Sequence, residues 1–414
     1  MSAKREFRVL VRGASSALFP EGQTLEVDYA LDGKAIKLRI LTRYLDLGFA
    51  ARAPGDLMID AVGEADDVES AAASFTNAGR TIAAVIALAA NAAIVPLEAE
   101  IIYETTKGAP RRAFFQRFVP ADKVALTSRF IDVQGTLTLI EALAKDPERD
   151  RVYRAVAQYY EALQNWKAGN ELLVMSHLFM GAEALKKALW RKKSAFEIKT
   201  KDQLATEWDY KPDGRLQIDE FLDREARLRL IFENDSDCHR KAKHVSDHFE
   251  HGFSNAPALY RDANDNVVQT AHYLRKAIIM GLDMAPAQRT LLLGDAYKRP
   301  RGPLGIDAYL KAVLIGESEH IGTEVGEFPY CDWSNTLSEL SFDGLAKKYS
   351  FKPTNQFTPR MAQGLKMEEI KLELWDNSAF FPVTRPHQFE NAVAEPAQAH
   401  PAHGAEPPNS GVAD

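Results

Sequence analysis

The hydrophobic period of the sequence changes near residue 148, and this change limits the architecture that the chain can adopt. Before it, Phe7–Arg12, Leu25–Tyr29 and Ile36–Leu41 alternate apolar and polar residues, which is typical of half-buried strands. After it, apolar residues recur at helical spacing to about residue 286. The pattern therefore predicts an α+β protein in which sheet and helices occupy successive segments.

We predict an N-terminal α+β domain over residues 1–147, with an antiparallel sheet packed on one long helix. The apolar run Thr81–Pro96 is shorter than the roughly 20 residues that a transmembrane helix needs, and Asn91 interrupts it, so we expect a buried core helix. The remaining predicted elements are a strand over Leu57–Val62, the long helix over Asp66–Ala93, and strands over Glu98–Thr105 and Arg112–Val119.

Residues 148–290 predict an all-α bundle. Helical spacing of apolar residues runs from Val152 to Trp166, and a second helix ends at Arg191–Lys193. A polar connection over Ser194–Gly214 precedes a third helix, and a last helix covers Asn266–Met284. Asn234–Asp237 is a cap and turn signal for the helix between them, and Pro257 is expected to end that region.

For the C-terminal part, the sequence predicts less regular structure. Residues 291–385 form a small β-leaning part, with strand candidates at Ala308–Gly316 and Ile370–Trp375. Residues 386–414 are rich in Ala, Pro, His, Glu and Gly and predict a disordered tail.

Composition excludes several classes of protein. The formal net charge of −7 argues against a basic nucleic-acid coat, so any nucleic-acid contact would have to be local. Cys238 and Cys331 are far apart and lack metal-ligand spacing, which favours a reducing compartment. The charged N-terminus is not a signal peptide, and we expect a cytoplasmic protein. No P-loop, nucleophile elbow or dinucleotide fingerprint is present, so we predict no cofactor.

The strongest chemical signal is a histidine cluster. His239, His244, His248 and His251 fall within thirteen residues. On a helix, the last three lie within about 60° of arc, with Arg240 at the edge of the same stripe. Clustered imidazoles beside a cation indicate a phosphate, metal or proton-transfer site.

Three interpretations of this stripe stay open. His244 and His248 could hold one Zn²⁺ if His251, Glu250 or His272 supplied a further ligand, although Val245 stands where a metalloprotease has its Glu. Alternatively, the histidines lie on a solvated face and pair with Asp237, Asp247 and Glu250. The third interpretation is a surface that handles phosphate or RNA.

Further residues are candidates for ligand binding around the stripe. Arg227 and Arg229 flank the histidine helix and could extend a basic face. Glu183 lies in an apolar helical stretch, where a carboxylate needs a partner, and it could hydrogen-bond a histidine of the neighbouring helix. The remaining candidates on the histidine helix are Lys243, Asp247 and Glu250.

The helix order, and the position of Phe249–Gly252 near the end of the penultimate helix, resemble the fold named HEPN. That fold carries an Arg, usually followed by a polar residue, and then a His after four to six residues, and the pair acts on a scissile phosphate. Here Arg240 is separated from His244 by three residues and from His248 by seven, and Lys243 has the matching gap to His248. The resemblance implies catalytic roles for His248, His251 and Arg240 and a homodimer, but it supports the fold more than nuclease chemistry.

Three segments also resemble a bacterial family named methylamine utilization protein MauJ, a name that implies a place in an amine-oxidation gene cluster and specifies no reaction. They are Ala89–Ile101 with Ala113–Pro120, Tyr160–Glu171 with Ser176–Leu185, and Ala242–Gly252.

We therefore predict a non-catalytic or degenerate HEPN-like module that binds RNA or a phosphate-bearing ligand, as an accessory protein. One alternative is a metal-independent endoribonuclease with His251 or His248 as acid or base. The other is a scaffold that binds a partner protein in an amine-utilisation or stress pathway.

Overall fold

The computed structural model describes residues 5–31, 34–106, 113–116, 129–167, 169–212, 216–251, 256–303, 306–315, 330–346, 348–360 and 366–376. Within these residues the chain forms two compact units. Of the described residues, the first unit contains those within 5–45 and 54–303, and the second contains those within 46–53 and 306–376. The first unit thus includes both segments for which the sequence predicts separate domains. The predicted tail over 386–414 lies outside the described residues.

The first unit contains the predicted N-terminal antiparallel sheet. Its strands are β1 Arg5–Gly13, β2 Ala17–Leu18, β3 Leu25–Leu31, β4 Lys34–Leu45, β5 Ala53–Ala65, β6 Glu98–Glu104, β7 Phe114–Gln116 and β8 Arg129–Phe130. Six of them form one sheet in the order β3-β4-β5-β1-β6-β7, and β2 pairs with β8 in parallel. Alternation places Phe7, Val9 and Val11 of β1 in the core. Of the predicted strand 112–119, only residues 113–116 are described.

The helices follow the sheet. They are α1 Val68–Ala90, α2 Val133–Lys145, α3 Arg149–Gln164, α4 Glu171–Phe196, α5 Lys201–Glu207, α6 Ile218–Ala226, α7 Ser236–His251, α8 Ala256–Met280 and α9 Pro286–Leu292. A π-helical segment, Arg227–Ile231, continues α6, and Asp295–Tyr297 forms a 3₁₀ turn. α4 contacts α3, α7 and α8, and α7 also contacts α8.

Several helix boundaries differ from the prediction. α8 begins at Ala256 instead of Asn266, because a proline in the first helical turn has no backbone bond to lose and Pro257 therefore does not end the helix. α4 runs to Phe196, beyond Arg191–Lys193. α5 lies inside the predicted polar connection and begins with a capping box between Thr200 and Gln203. α2 and α9 were not predicted.

The main apolar core extends through the first unit with α1 at its centre, and a second, smaller apolar cluster lies among α4, α5 and α6. α1 is long and apolar enough to cross a membrane by length and composition, but 67% of its apolar window is buried inside the protein. Its buried side chains include Phe75, Ile82 and Leu88. α1 contacts β1 and β6 on one side and α2 and α3 on the other. The predicted core helix is therefore confirmed, and the burial is consistent with a soluble protein.

The C-terminal end of α1 is capped by two buried arginines. Arg275 of α8 donates to the carbonyls of Leu88 and Ala89 at 2.8 Å and to that of Leu292 at 2.7 Å. Arg129 donates to the carbonyls of Ala90 and Asn91, each at 3.0 Å. Cations at a helix C-terminus satisfy its last carbonyls and complement its dipole.

Asn91 completes this cap. It adopts the left-handed conformation, with φ 48° and ψ 49°. Its amide nitrogen donates to the carbonyl of Tyr297 at 2.7 Å, and its amide oxygen accepts from the hydroxyl of Tyr159 at 2.6 Å. The residue that interrupts the apolar run thus joins α1 to α3 and to the 3₁₀ turn.

The second unit is a β structure. Its strands are β9 Ile306–Ile315, β10 Tyr330–Asp343, β11 Lys348–Arg360 and β12 Lys366–Asp376. β9 pairs antiparallel with β12, and β10 pairs antiparallel with β11. β9 and β12 confirm the two strand candidates, whereas β10 and β11 fall in a segment for which the sequence predicted no definite structure.

We expect Arg275→Met to lower the free energy of unfolding by about 3 kcal/mol, because it removes the side chain that donates to three buried carbonyls. Urea unfolding of the full chain measures the change. Arg149→Met is the control, because its side chain is 63% exposed, and it should stay within about 0.5 kcal/mol of wild type. Equal loss in both variants would contradict this role of Arg275.

The end of α4 contains a strained residue. Ile198 has φ 53° and is 92% exposed. The backbone N–H of Lys199 donates to the carbonyl of Ser194 at 2.9 Å, and that of Ile198 donates to the carbonyl of Ala195. This is a Schellman cap, whose left-handed position glycine normally occupies. A β-branched side chain there is strained and, at this exposure, gains little from burial.

We therefore expect Ile198→Gly to raise the free energy of unfolding by about 1 kcal/mol, because glycine adopts the left-handed conformation without strain. Ala195→Gly, three residues earlier in the last turn of α4, is the matched control and should lower it by about 0.5–1 kcal/mol. Urea unfolding measures both. A destabilised Ile198→Gly variant would show that the side chain contributes more than its strain costs.

Candidate functional site

α7 begins where local chemistry predicted it. Glu233 and Asn234 adopt positive φ values of 51° and 68°, which turns the chain out of the π-helical segment. The carboxylate of Asp235 then accepts from the backbone N–H of Cys238 at 3.0 Å and from the hydroxyl of Tyr273 at 3.1 Å. The first of these bonds caps α7 and the second ties it to α8.

The apolar side of α7 faces the core, as predicted. Ala242 and Val245 are fully buried, and Phe249 packs partly buried against the same core. This packing leaves two polar faces of α7. One faces α8 and solvent, and the other faces α4 and the π-helical segment.

The first face carries the outer stripe, which we define as Arg240, His244 and His248. The Nδ1 of His244 donates to the Asp262 carboxylate of α8 at 3.2 Å. The Nδ1 of His248 donates to the carbonyl of His244 at 2.9 Å. The two imidazole centroids are 4.3 Å apart, with the rings edge to face. Both rings therefore use Nδ1 for positioning, which leaves Nε2 of each as the nitrogen for a ligand.

The cations of α7 are paired along the helix. Arg240 donates to Asp237 at 2.7 Å, and Lys241 pairs with the same carboxylate at 2.7 Å. These hydrogen bonds, that of Lys241 first, hold the pKa of Asp237 below its usual range. Lys243 donates to Asp247. The Arg240 side chain is 67% exposed, so its pairing with Asp237 is open to exchange with a ligand.

The second polar face belongs to the inner cluster, which we define as Glu183, Arg227, His239 and Lys243. Arg227 is the first residue of the π-helical segment and donates to the Glu183 carboxylate, which also accepts from Lys186 at 2.5 Å. The Arg227 guanidinium lies over the ring of Phe179 at 5.8 Å, and its side chain is only 13% exposed. Burial lowers the pKa of Arg227.

His239 lies within this cluster, away from the outer stripe. Its ring centroid is 5.1 Å from that of Phe232 and 6.3 Å from that of Phe179. Burial, and then the positive charges of Arg227 and Lys243, lower the pKa of His239 to about 4. At neutral pH this imidazole is therefore neutral.

The structure separates the other predicted site residues. Arg229 donates to Glu225 at 2.9 Å and lies over the ring of Trp208, so it belongs to the packing between α5 and α6. The partner of Glu183 is Arg227, where the sequence suggested a histidine. The side chains of Glu250 and His251 lie outside the described residues.

Asp262, Arg227 and His239 complete these two sites. The sequence suggested Arg227 as part of a basic face and His239 as a member of the histidine cluster, but it did not indicate Asp262. Asp262 falls in a segment predicted to precede the last helix, so its place beside α7 was hidden. His239 precedes His244 by five residues, which places it on a different side of the helix and predicts its separation from the stripe. No local signal links Glu183 with Arg227.

Among the described residues, no group of three or more His, Cys, Asp or Glu side chains is arranged to hold a metal ion. His244 hydrogen-bonds the Asp262 carboxylate through Nδ1, and His248 hydrogen-bonds a backbone carbonyl instead.

Comparisons with known proteins add no assignment: no family model, no curated protein and no solved structure matches the chain.

We predict that His239 makes the fold less stable in mild acid. The pKa of His239 is about 4 in the folded protein, against an ordinary value of 6.5, which we take for the unfolded chain. Below about pH 6.5 the unfolded chain therefore binds a proton that the folded chain does not bind. The free energy of unfolding therefore decreases as the pH falls from about 6.5 to 4. His239 accounts for at most about 3 kcal/mol of this decrease. Urea unfolding at several pH values measures it.

His239→Phe should flatten this acid dependence, because phenylalanine keeps an aromatic ring in place and has no proton to take up. Arg149→Met is the control, since this exposed arginine stays charged throughout the range, and its profile should follow that of wild type. Identical profiles for wild type and His239→Phe would contradict the assignment.

Proposed function

We propose that the chain is an RNA-binding accessory protein and that the outer stripe contacts the phosphate groups of the RNA. The observation that carries this proposal is the edge-to-face pair of imidazoles, His244 and His248, whose Nε2 atoms are left for a ligand, with Arg240 one helical turn away. An imidazolium and a guanidinium are both hydrogen-bond donors suited to phosphate oxygens.

The charges around the stripe support local contact with phosphate. The net charge of −7 opposes nonspecific attraction of RNA to the whole surface. Arg240 is held by Asp237 in an exposed ion pair of the kind that contributes little to stability. A phosphate can therefore replace Asp237 as the partner of Arg240 at small cost.

The imidazole rings also suit unpaired RNA bases. Single-stranded RNA is recognised largely by stacking of its bases on aromatic and guanidinium planes. His248 and Arg240 are available for such stacking on the outer side of α7. The finer predictions go with this proposal: a HEPN-like arrangement of the helices, a homodimer, a cytoplasmic location and a relation to the MauJ family.

Ribonuclease activity is the second candidate, and the hydrogen bond between Asp262 and His244 favours it. A carboxylate that accepts from Nδ1 fixes the imidazole tautomer and makes Nε2 a better base, as in other acid–base sites. The neighbouring His248 could supply the acid. This chemistry needs no metal.

The test is the affinity for a labelled single-stranded RNA of mixed sequence, measured by fluorescence anisotropy at fixed salt with chelator present. We expect the Arg240→Ala/His244→Ala/His248→Ala variant to bind at least about tenfold more weakly than wild type, or about 1.4 kcal/mol, because it loses every donor of the stripe. Adding His251→Ala to this variant tests whether His251, the last histidine of the cluster, also contributes to RNA affinity.

Lys145→Ala/Arg149→Ala is the control, because it removes two exposed cations elsewhere and should bind like wild type. Equal RNA affinity of wild type and the stripe variant would overturn the proposal. Sizing the recovered RNA separates the two candidate functions: cleavage that Asp262→Asn abolishes while binding persists would replace the accessory role by ribonuclease activity.

A further inference from the structure

Two buried nitrogen atoms of the inner cluster have no hydrogen-bond partner within the described part of the chain. They are Nε of Arg227 and Nε2 of His239. Buried polar groups are nearly always hydrogen-bonded, because burial removes their hydrogen bonds to water and an unpaired group has nothing to replace them. Two such atoms in neighbouring side chains indicate a place where a ligand atom is received.

The two side chains converge on one aromatic ring. The Arg227 guanidinium is 5.8 Å from the centre of the Phe179 ring, and the His239 ring is 6.3 Å from it. Glu183 engages Nη1 of Arg227 and thereby orients the guanidinium, so that its Nε edge is not used by this pair. Phe232 also packs against His239, with its ring centroid 5.1 Å from that of the imidazole.

The π-helical segment explains why Arg227 occupies this position. π-helical turns are rare, and they occur often at functional sites. Here the segment begins at Arg227, and the backbone N–H of Phe232 closes it on the carbonyl of Arg227 at 2.9 Å. The turn therefore places Arg227 at the junction of α6, α4 and α7.

The surrounding charges select an anion. α4 contributes Glu183 and Lys186, α6 and the π-helical segment contribute Asp223, Glu225 and Arg227, and α7 contributes Lys243 and Asp247. Among these groups, Glu183 already has Arg227 and Lys186, Asp223 has Lys186, Glu225 has Arg229, and Asp247 has Lys243. Each carboxylate thus has a cation, so a metal ion would gain little, whereas the two unpaired nitrogens can donate to an oxyanion.

We infer that Arg227 and His239 form the base of a binding site for a tetrahedral oxyanion, a phosphate group, on the side of α7 away from the outer stripe. Lys243 follows His239 by one helical turn and can add a third donor. Because His239 is neutral without ligand, it takes up a proton when the anion binds and then donates through Nε2. The site is separate from the proposed RNA contact, and the inference does not depend on that contact.

The test uses the full-length protein labelled with ¹⁵N-histidine and titrated with inorganic phosphate to about 50 mM, with thermal unfolding measured in parallel. We expect the His239 ring signals to move to the protonated pattern and the melting temperature to rise. Arg227→Lys should weaken both effects at least about tenfold, because lysine keeps the charge and lacks the Nε–H edge.

Arg224→Lys, one turn earlier in α6 and half exposed, is the matched control and should respond like wild type. In His244→Ala/His248→Ala the His239 ring signals should move with phosphate as in wild type, which separates this site from the outer stripe. Sulfate, whose charge is constant over this range, should bind more tightly at about pH 5.5 than at about pH 7.5, while acetate should bind weakly at both.

Unmoved His239 signals in wild type, an equal phosphate response of Arg227→Lys, or sulfate affinity independent of pH would each overturn the inference. If Arg227→Lys does not fold, as judged by circular dichroism, His239→Gln takes its place and must lose the rise in melting temperature.

Discussion

The first unit depends on how the buried C-terminal end of α1 is satisfied. A helix that ends inside a core leaves carbonyls that water cannot reach, and each must find a donor. Arg275 and Arg129 supply those donors, and Asn91 adds two further hydrogen bonds. Burial lowers the pKa of Arg275 to about 10, while Tyr159 and Tyr297 act in the opposite direction, so Arg275 stays charged at neutral pH.

This cap determines where the functional helices lie. Arg275 belongs to α8, and Tyr159, which donates to Asn91, belongs to α3, so both helices are held against the end of α1. α4 packs between α3 and α8, and α7 packs on α4 and α8. α7 consequently presents one polar face to Asp262 and the other to Glu183 and Arg227. A single helix thereby carries two groups of imidazoles with different surroundings, one exposed and one enclosed by aromatic rings.

Local patterns allowed much of this fold to be predicted. Alternation identified β1, β3 and β4, and Asn234–Asp237 located the start of α7, because such signals act over a few residues. The start of α8 was placed ten residues late, because Pro257 is compatible with both a break and a first turn. At the site, helical spacing separated His239 from His244. The pairs Glu183–Arg227 and His244–Asp262 join different helices, and periodicity along the chain carries no information on them.

The continuous core has a consequence for how this protein can change in evolution. α1 is covered by the sheet on one side and by α2 and α3 on the other, and its last turn is completed by side chains that lie 39 to 187 residues away in the chain. The strands have no interior apart from this main core, and the helices have only a smaller second cluster among α4, α5 and α6. Recombination near residue 147 would therefore expose apolar surface of this core on both products.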